Sequence, residues 1–317
     1  SVVPGGGAKA CSYGCTGFGT CVKACKFDAI HVVDGVAVVD KEKCVACGAC
    51  VAACPKHLID LVPYKAKHLV QCSSHDRGPA VKAACQVGCI GCKLCEKKCP
   101  VGAIAVTDFV AKIDYEKWYQ NHRRTKEEME RQRQEAFSYA PLISIVVPVY
   151  QAPEEFLRQM LLSVCRQTYK NWELCMAVSD EERHRLEEIL EEDVFKGKTV
   201  RLIGMRENRG ISENTNAAIK EAAGTYIGFL DQDDLLAPDA LYEMVKKLNE
   251  YPETGLLYSD EDKVTADLKK HFQPHFKPDF NLDLLRANNY ICHFCVIKKS
   301  LIEEMGGLRS EFDGAQD

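Results

Sequence analysis

The second half of the chain alternates between two hydrophobic patterns. One is a short, nearly continuous apolar run rich in β-branched residues, which predicts a buried strand; these runs are "LISIVVPVY", "WELCMAV", "TVRLIGM" and "YIGFL". The other repeats apolar positions with a helical period; these segments are "EEFLRQMLLSVCRQT", "DEERHRLEEILEE" and "SENTNAAIKEAA". Strands that alternate with helices predict an α/β domain with a parallel sheet and ligands at the carboxyl ends of its strands.

The first 117 residues follow a different pattern, in which short apolar stretches come after groups of cysteines. These stretches are "DAIHVV", "HLIDLV" and "GAIAVT". We predict each of them to be a short strand, with a turn of helix and cysteine-bearing loops between the strands. This part of the chain is therefore expected to form a small α+β module.

The segment 118–140 contains neither glycine nor proline and joins the two patterns. Thr125 and Glu128 have the spacing of a helix capping box, and strong helix formers follow as far as Ala136. Because runs of charge are usually solvated faces, we predict a solvated helical linker, with His122 as an ordinary exposed histidine. The predicted organisation is a module at 1–117, a linker at 118–140 and a domain at 141–317.

Composition narrows the classes of function. The 317 residues, 46% of them hydrophobic, leave room for two domains, and a net charge of −5 gives no electrostatic case for nucleic acid. There is no spanning apolar run and no signal peptide, so we expect membrane association only through partners or through segments missing from this sequence. Of 18 cysteines, 14 lie at or before Cys99, and 12 of these fall in three tight groups. Such groups indicate metal ligation in a reducing compartment, the cytoplasm or the inner face of the cell membrane.

Two cysteine quartets have the spacing of bacterial ferredoxins. The pattern C-x2-C-x2-C-x3-C-P occurs at 44–55 and again at 89–100, and a looser version occurs at 11–25. In this pattern three close thiolates bind one [4Fe–4S] cube and the fourth cysteine reaches the other cluster. Zinc prefers two pairs with a spacer, so the spacing favours iron and sulfur. The crossed rule assigns one cube to Cys11, Cys15, Cys21 and Cys54, and the other to Cys25, Cys44, Cys47 and Cys50.

These motifs, with "VQCSSHDRG" and "GCIGCKLCEKKCPVGAIAV", resemble the ferredoxin region of the B subunit of the Rnf ion-translocating electron transport complex. The resemblance implies electron carriage, with ferredoxin and membrane oxidoreductase subunits as redox partners. The family continues "IDYEK" into another cysteine quartet, whereas this chain has Trp118 there, so one partner quartet is lost. We expect two to three [4Fe–4S] clusters. The further candidate ligands are Cys72, Cys85, Cys89, Cys92, Cys95 and Cys99.

An acidic motif, "DQDD", follows the strand run "YIGFL". We expect Asp231 and Asp233, spaced i, i+2, on an extended stretch that leaves the strand. Carboxylates at such a strand end can hold Mg²⁺ or Mn²⁺ between two phosphates, because hard cations prefer oxygen ligands, and the ion would neutralise a departing diphosphate. By itself the motif could be a solvated acidic turn, but its place after an apolar strand favours a metal site with Asp233 as a ligand.

The surrounding sequence resembles family 2 glycosyltransferases of the GT-A fold, of the type that makes cell-surface polysaccharide. The resemblance extends over 118–317 and includes "SIVVPVY", "SVCRQTYKNWEL", "ENRGISENTNAAI", "GFLDQDDLLAPDAL" and "FDGAQD". It implies a nucleotide-diphosphate sugar donor, a glycan acceptor and inversion at the anomeric carbon. It also implies that Asp317 is the general base and that the domain is incomplete at its C-terminal end. The residues implied to contact the donor are Pro148, Tyr150, Asp180, Asn208, Gly210, Asn214 and Asp231, with Asp180 substituting for a base-binding aspartate of the family.

The four remaining cysteines are expected in the core. Cys292 and Cys295 flank His293 and could form half of a zinc site, but no second pair accompanies them. Free cysteine is among the most buried residue types, so core packing is favoured for these two and also for Cys165 and Cys175.

The sequence therefore predicts an α+β ferredoxin-like multi-cluster module followed by an α/β GT-A domain, with electron transfer in one part and sugar transfer in the other. Three origins are open: a natural fusion, a transferase that carries a ferredoxin remnant, or an artificial join of two reading frames. The run "YEK" at 115–117 fits both resemblances. Because a mis-join could occur there, we favour the artificial join as the origin.

Overall fold

The computed structural model describes residues 11–62, 69–100, 102–287 and 289–313. The chain divides into two compact units. The first unit contains Ser1–Arg123 and Glu261–Tyr290, and the second contains Arg124–Asp260 and Ile291–Asp317. The segment 261–290, which the sequence assigns to the C-terminal domain, thus groups with the N-terminal module.

Up to residue 122 the chain forms short helices and two-stranded hairpins, and from there to residue 250 strands alternate with longer helices. Up to residue 122 the elements are α1 (Thr20–Ala24), β1 (Ile30–Val33), β2 (Val36–Val39), α2 (Ala49–Ala53), α3 (Gly78–Ala84), α4 (Leu94–Lys98), β3 (Ile104–Thr107), β4 (Val110–Ile113) and α5 (Tyr115–His122). The next are α6 (Lys126–Gln134), β5 (Ile143–Pro148), α7 (Glu154–Cys165), β6 (Trp172–Ser179), α8 (Asp180–Leu190), β7 (Val200–Met205), α9 (Ile211–Glu221), β8 (Tyr226–Phe229) and α10 (Ala240–Glu250). The last are β9 (Leu256–Tyr258), β10 (Glu261–Val264), β11 (His271–His275), α11 (Leu282–Ala287), β12 (Cys295–Lys298), α12 (Lys299–Glu304) and a 3-10 turn (Ser310–Phe312).

The first unit contains two small antiparallel hairpins, β1–β2 and β3–β4, beside the cysteine-bearing helices. Two of the three strands predicted after the cysteine groups are confirmed, since "DAIHVV" contains β1 and "GAIAVT" contains β3. The third prediction is wrong, because the described residues 57–62 of "HLIDLV" form no strand. Each of the two confirmed strands pairs with the strand that follows it closely in the chain, whereas "HLIDLV" has no such pair among the described residues.

The residues at which the two sequence patterns meet fold as helix α5. Asp114 caps it by accepting a hydrogen bond from the Lys117 backbone N–H at 3.1 Å. Three aromatic side chains at helical spacing, those of Tyr115, Trp118 and Tyr119, form one half-buried face. Instead of one solvated helix, the segment thus forms α5, with this aromatic face, and then α6.

Within the first unit, α5 packs against the hairpin β10–β11. The Tyr115 hydroxyl donates to Asp262 Oδ2 at 2.6 Å, and the Tyr119 ring stacks on His271 with centroids 3.7 Å apart. The His271 backbone N–H donates to Glu116 Oε2 at 2.8 Å. These contacts explain why the hairpin groups with the N-terminal module.

The second unit begins with α6, whose predicted capping box is confirmed. Thr125 accepts from the Glu128 backbone N–H at 3.1 Å, and the Glu128 carboxylate accepts from the Thr125 N–H at 2.8 Å. Gln132 of this helix is buried and accepts a hydrogen bond from Thr168. Helix α6 is therefore packed into the second unit, and only part of its surface is solvated.

A six-stranded sheet with the order β7-β6-β5-β8-β12-β9 forms the centre of the second unit. The first four of these strands are parallel, as predicted, and β12 is antiparallel to both β8 and β9. Strand β5 is buried along nearly its whole length because hydrophobic clusters cover both faces of the sheet. The carboxyl ends of β5, β6 and β8 therefore meet at one edge, which we call the carboxyl edge.

The cysteines of the second unit differ in burial. Cys165 and Cys175 are buried, as predicted, and burial raises the pKa of the Cys175 thiol to about 12. Cys292 and Cys295 are only half-buried, so the prediction of core packing is wrong for these two. They lie at the start of β12, where the sheet opens toward its carboxyl edge.

A buried carboxylate connects three segments of the second unit. Glu173 on β6 is 3% exposed and accepts hydrogen bonds from the Ser144 hydroxyl and the Ala223 backbone N–H, both at 2.6 Å. The Ser144 hydroxyl in turn accepts from the Gly224 N–H at 2.8 Å. Since buried donors are costly when they lose their acceptor, this network should contribute strongly to stability.

We expect Glu173→Ala to lower the free energy of unfolding of the second unit by about 3 kcal/mol, because the buried Ser144 hydroxyl and the partly buried Ala223 N–H lose their acceptor. Urea unfolding would be followed by the fluorescence of buried Trp172 in a Trp118→Phe background, which removes the only other tryptophan. Glu188→Ala, an exposed position on α8, is the matched control and should change stability by less than about 0.5 kcal/mol. Equal effects of the two substitutions would contradict the role given to Glu173.

Candidate functional sites

Four cysteines of the first unit surround one cavity. They are Cys25, Cys44, Cys47 and Cys50, which the crossed rule assigns to one cube. Gly48, with φ 73°, lies between Cys47 and helix α2 and lets the chain turn between ligands. Apolar side chains complete the lining of this cavity, among them Phe27, Val45 and Leu61. An apolar wall excludes water and helps to set the potential of an iron–sulfur cluster.

A second cavity is lined by Cys15, Cys21 and Cys54, again with apolar neighbours. Cys11, the fourth cysteine in the crossed assignment, begins the turn in which the Gly14 N–H donates to the Cys11 carbonyl at 3.3 Å. Burial raises the pKa of the Cys21 thiol, and the nearby Cys15 and Cys54 add to this rise. Burial likewise raises the pKa of Cys50 in the first cavity, with Cys44 and Cys47 adding to it. The thiols of each group are thus close enough to interact electrostatically.

Backbone N–H groups point at several of these sulfurs. Gly17 donates to Cys15 Sγ and Leu58 donates to Cys54 Sγ, each at 3.4 Å. Hydrogen bonds to ligand sulfurs are one of the ways in which a protein tunes the potential of a cluster. The second cavity therefore has thiols that could bind a cube and N–H groups that would tune its reduction potential.

The third group of cysteines is arranged around the hairpin β3–β4. The Cys89 backbone N–H donates to Cys72 Sγ at 3.2 Å, so the isolated Cys72 lies beside the quartet. The Ala111 N–H donates to Cys89 Sγ at 3.4 Å, and the Ala103 N–H donates to Cys99 Sγ at 3.3 Å. The three other members are Cys85, which is half-buried, and Cys92 and Cys95, which are exposed. Whether this group binds a cluster remains a prediction.

In the second unit, strand β8 leads into an acidic turn, residues 231–234. The Asp234 N–H donates to the Asp231 carbonyl at 3.3 Å, so the backbone turns where the sequence predicts an extended stretch. The turn brings Asp231 and Asp234 to one side, half-buried, and leaves Asp233 exposed. The spacing of the two neighbouring carboxylates is thus i, i+3.

His293 completes a cluster with these two carboxylates. Its Nε2 lies 3.6 Å from Asp231 Oδ2, and its Nδ1 lies 4.0 Å from Asp234 Oδ2. One ligand atom from each residue can be chosen so that all three lie within 4.8 Å of one another. Two carboxylates and an imidazole form a donor set that suits a divalent cation. The sequence pattern predicts core packing for the two cysteines that flank His293 and does not reveal this cluster.

The loop after β5 is fastened to the acidic turn. The Tyr150 backbone N–H donates to Gln232 Oε1 at 2.8 Å, and Gln232 Nε2 donates to the Tyr150 carbonyl at 3.1 Å. Pro148, the last residue of β5, is half-buried, and the Tyr150 side chain is 52% exposed. The two residues implied to contact the nucleotide base therefore lie beside the acidic turn at the carboxyl edge.

Three other implied donor contacts lie together at the start of α9. Asn208 Oδ1 accepts from the Gly210 N–H at 3.1 Å and from Asn214 Nδ2 at 2.9 Å. Gly210 has φ 91°, and a Cβ built there would lie 2.1 Å from Asp313 Oδ2, so only glycine fits. Asp313 Oδ1 accepts from the Ser212 N–H at 3.1 Å, which places a carboxylate at the amino end of this helix.

Asp180 and Asp317 are the two remaining predicted site residues. Asp180 follows β6 directly and is exposed, so it also lies at the carboxyl edge. The side chain of the preceding Ser179 caps helix α8 by accepting from the Glu182 N–H at 3.3 Å. Asp317, the implied general base, lies outside the described residues.

The second unit is an α/β domain with a largely parallel sheet. The loops that carry the candidate site residues lie at its carboxyl edge, where such sheets bind ligands. The model of glycosyl transferase family 2 matches residues 144–306, just over half of the chain, and the chain therefore belongs to this family. Models of the 4Fe-4S dicluster domain match residues 13–59 and 43–103. The predicted fold class, a ferredoxin-type module followed by a GT-A-like α/β domain, is confirmed.

Individual relatives match one part of the chain or the other. The O-antigen biosynthesis protein RfbC of Myxococcus xanthus is 38% identical over 179 residues, 56% of this chain and 14% of that protein. The B subunit of the ion-translocating oxidoreductase complex of Methanosarcina acetivorans is 56% identical over 110 residues, 34% of this chain and 42% of that protein. The chain thus spans less than half the length of either relative.

Among solved structures, the mannosyltransferase PcManGT from Pyrobaculum calidifontis, in complex with GDP-Man and Mn²⁺, aligns with a TM-score of 0.42 and 21% identity. The alignment covers 60% of this chain and 55% of that one. In the parts of the chain that the structure describes, no helix combines the length and the apolar character needed to cross a membrane.

Proposed function

We propose that the second unit transfers a hexosyl group from a nucleotide-diphosphate sugar to a glycan acceptor in the synthesis of cell-surface polysaccharide, in a metal-dependent reaction with inversion. The observation that carries the proposal is the acidic turn at the carboxyl edge of a family 2 sheet, where Asp231 and Asp234 are neighbours. The match to an O-antigen biosynthesis protein supports a polysaccharide product.

In this proposal Asp231 and Asp234 hold a divalent cation, Mg²⁺ or Mn²⁺. Such an ion would stabilise the negative charge of the diphosphate as it leaves. Asp233, which the sequence pattern assigns to the metal, is exposed, and the geometry better supports Asp234 in that role. The two hydrogen bonds between Gln232 and Tyr150 hold the acidic turn against the loop after β5. They keep the diphosphate-binding and base-binding parts of the site in register.

The donor is proposed to lie along the carboxyl edge. Pro148 and Tyr150 would contact the base, with Asp180 nearby, and Asn208, Gly210 and Asn214 would lie by the diphosphate sugar. Support comes from the hydrogen bonds that join the last three residues at the start of α9. Asp317 is proposed to take the proton from the acceptor hydroxyl, which then attacks the anomeric carbon while the sugar–phosphate bond breaks.

Proton NMR of the product formed from α-linked nucleotide sugars tests this reaction. We expect β-configured product at early times, in the presence of Mn²⁺, because a single in-line displacement inverts the anomeric carbon. Asp317→Asn should slow transfer by roughly 10²- to 10⁴-fold, the usual contribution of a general base, and should leave donor binding nearly unchanged. Product with retained configuration, or full activity of Asp317→Asn, would contradict the proposed mechanism.

We also propose that the first unit carries electrons through two to three [4Fe–4S] clusters. The specific observation in favour is that two cavities are each lined by cysteines from different motifs. The match to a component of an ion-translocating oxidoreductase complex supports ferredoxin and membrane oxidoreductase subunits as redox partners. Cys72, Cys85 and the quartet from Cys89 to Cys99 are the candidate ligands of the third cluster.

A further inference from the structure

The pairing of β12 with β8 brings a histidine to the acidic turn. The two strands are antiparallel, with Cys295 opposite Phe229. His293 lies two residues before β12 and Asp231 lies two residues after β8, so the pairing of these strands brings the two segments close together. His293 Nε2 lies 3.6 Å from Asp231 Oδ2.

The residue after His293 anchors it. Phe294 is 4% exposed, and its ring lies over Gly228 so closely that a Cβ there would be 2.6 Å from Phe294 Cζ. The Phe294 backbone N–H donates to Ser259 Oγ at 3.3 Å, and its carbonyl accepts from the Ser259 N–H at 3.1 Å. Packing and backbone hydrogen bonds therefore fix the chain next to the imidazole.

We propose that His293 is a ligand of the divalent cation bound by Asp231 and Asp234, and that it makes the site prefer Mn²⁺ to Mg²⁺. This inference rests on the proposed function, because it concerns the cation of the same site. Two ligand atoms that each lie about 2.2 Å from one ion can be at most about 4.4 Å apart. Only one imidazole nitrogen can bind a given ion. Nε2 lies 3.6 Å from Asp231 Oδ2, within that reach, and Nδ1 lies 4.0 Å from Asp234 Oδ2. One atom from each residue can be chosen so that all three lie within 4.8 Å, so a small side-chain movement would bring them around one ion.

The preference for a transition ion follows from the donor atoms. Mg²⁺ is a hard cation that keeps oxygen ligands and several waters, so an imidazole adds little to its binding. Imidazole nitrogen is a good ligand for first-row transition ions, of which Mn²⁺ is the weakest binder, and it is accepted less readily by Mg²⁺. A site with two carboxylates and one histidine should therefore bind Mn²⁺ more tightly, whereas a site with only the two carboxylates should discriminate less.

Electron spin echo spectroscopy of Mn²⁺ bound to the full chain, with the clusters oxidised, tests the ligand directly. We expect modulation from a directly bound imidazole nitrogen, which changes frequency when the protein is labelled with ¹⁵N-histidine. His293→Ala should abolish this modulation. The matched control, His184→Ala on the exposed face of α8, should leave it unchanged. The isotope experiment uses unmutated protein, so the test does not depend on how well His293→Ala folds.

Calorimetric titration supplies the second readout. We expect His293→Ala to weaken Mn²⁺ binding at least tenfold and to change Mg²⁺ binding less than threefold. If Mn²⁺ binds in an Asp231-dependent manner without nitrogen modulation, the role of His293 is overturned while the proposed transferase site stands. If Mn²⁺ binding does not depend on Asp231, the metal site of the proposed function itself is wrong.

Discussion

Replacing Cys50 with alanine is expected to remove one [4Fe–4S] cube and to leave the other in place. The chain should carry about eight to twelve irons after anaerobic purification, so the variant should lose about four of them. The physical reason is that Cys50 shares its cavity with Cys25, Cys44 and Cys47, whereas the cysteines of the second cavity come from other positions. Iron and sulfide analysis, with electron paramagnetic resonance of the reduced protein, measures the loss.

Cys175→Ala is the matched control for this experiment. Cys175 is buried on β6, in a hydrophobic cluster of the second unit that includes none of the candidate cluster ligands. Its replacement should leave the iron content unchanged. An unchanged iron content in Cys50→Ala would contradict the assignment of the first cavity, and zinc in place of iron in the unmutated protein would contradict the ferredoxin interpretation altogether.

Replacing Asp234 with alanine is expected to weaken metal-dependent binding of a nucleoside diphosphate by at least about a hundredfold, since even outer-shell partners of metal ligands contribute 10- to 100-fold. Asp233→Ala is the neighbouring control and should weaken binding less than about threefold, because an exposed carboxylate away from the ion adds only screened attraction. The two variants have the same change in charge and lie one residue apart. Equal losses in both would show that the acidic turn does not select Asp234.

Much of the fold could be predicted because its signals are local in the sequence. The continuous apolar run that forms β5 predicts a strand buried on both faces. The capping box of α6 requires only two side chains and their neighbouring backbone. The cysteine spacing likewise anticipates which thiols line the first cavity, because one turn of chain can seat three of them.

The features that were missed depend on non-local pairing. His293 reaches Asp231 only because β12 pairs with β8 in one register, and nothing near residue 293 in the sequence encodes that register. That Asp234, rather than Asp233, lies beside Asp231 follows from a single backbone turn, which a D-x-D spacing does not reveal. The grouping of 261–290 with the N-terminal module depends on the aromatic face of α5 meeting β11.

Helix α5, which contains the run "YEK" shared by the two resemblances, packs against the hairpin β10–β11. Tyr115, the first residue of the shared run "YEK", hydrogen-bonds to Asp262, which lies far beyond that run in the chain. Because "YEK" fits both sequence resemblances, this packing is expected for a natural fusion and for an artificial join alike. Nothing in the described residues marks the join as artificial.

The acidic turn at the carboxyl edge is proposed to be the metal-dependent donor site of a glycosyltransferase. The most direct test is calorimetric titration of UDP and GDP, and of the other common nucleoside diphosphates, into the unmutated protein with Mn²⁺ or with EDTA. We predict saturable binding of at least one nucleotide with Mn²⁺ and its loss with EDTA. Binding that is equally tight in EDTA, or the absence of binding by every nucleotide, would contradict the claim.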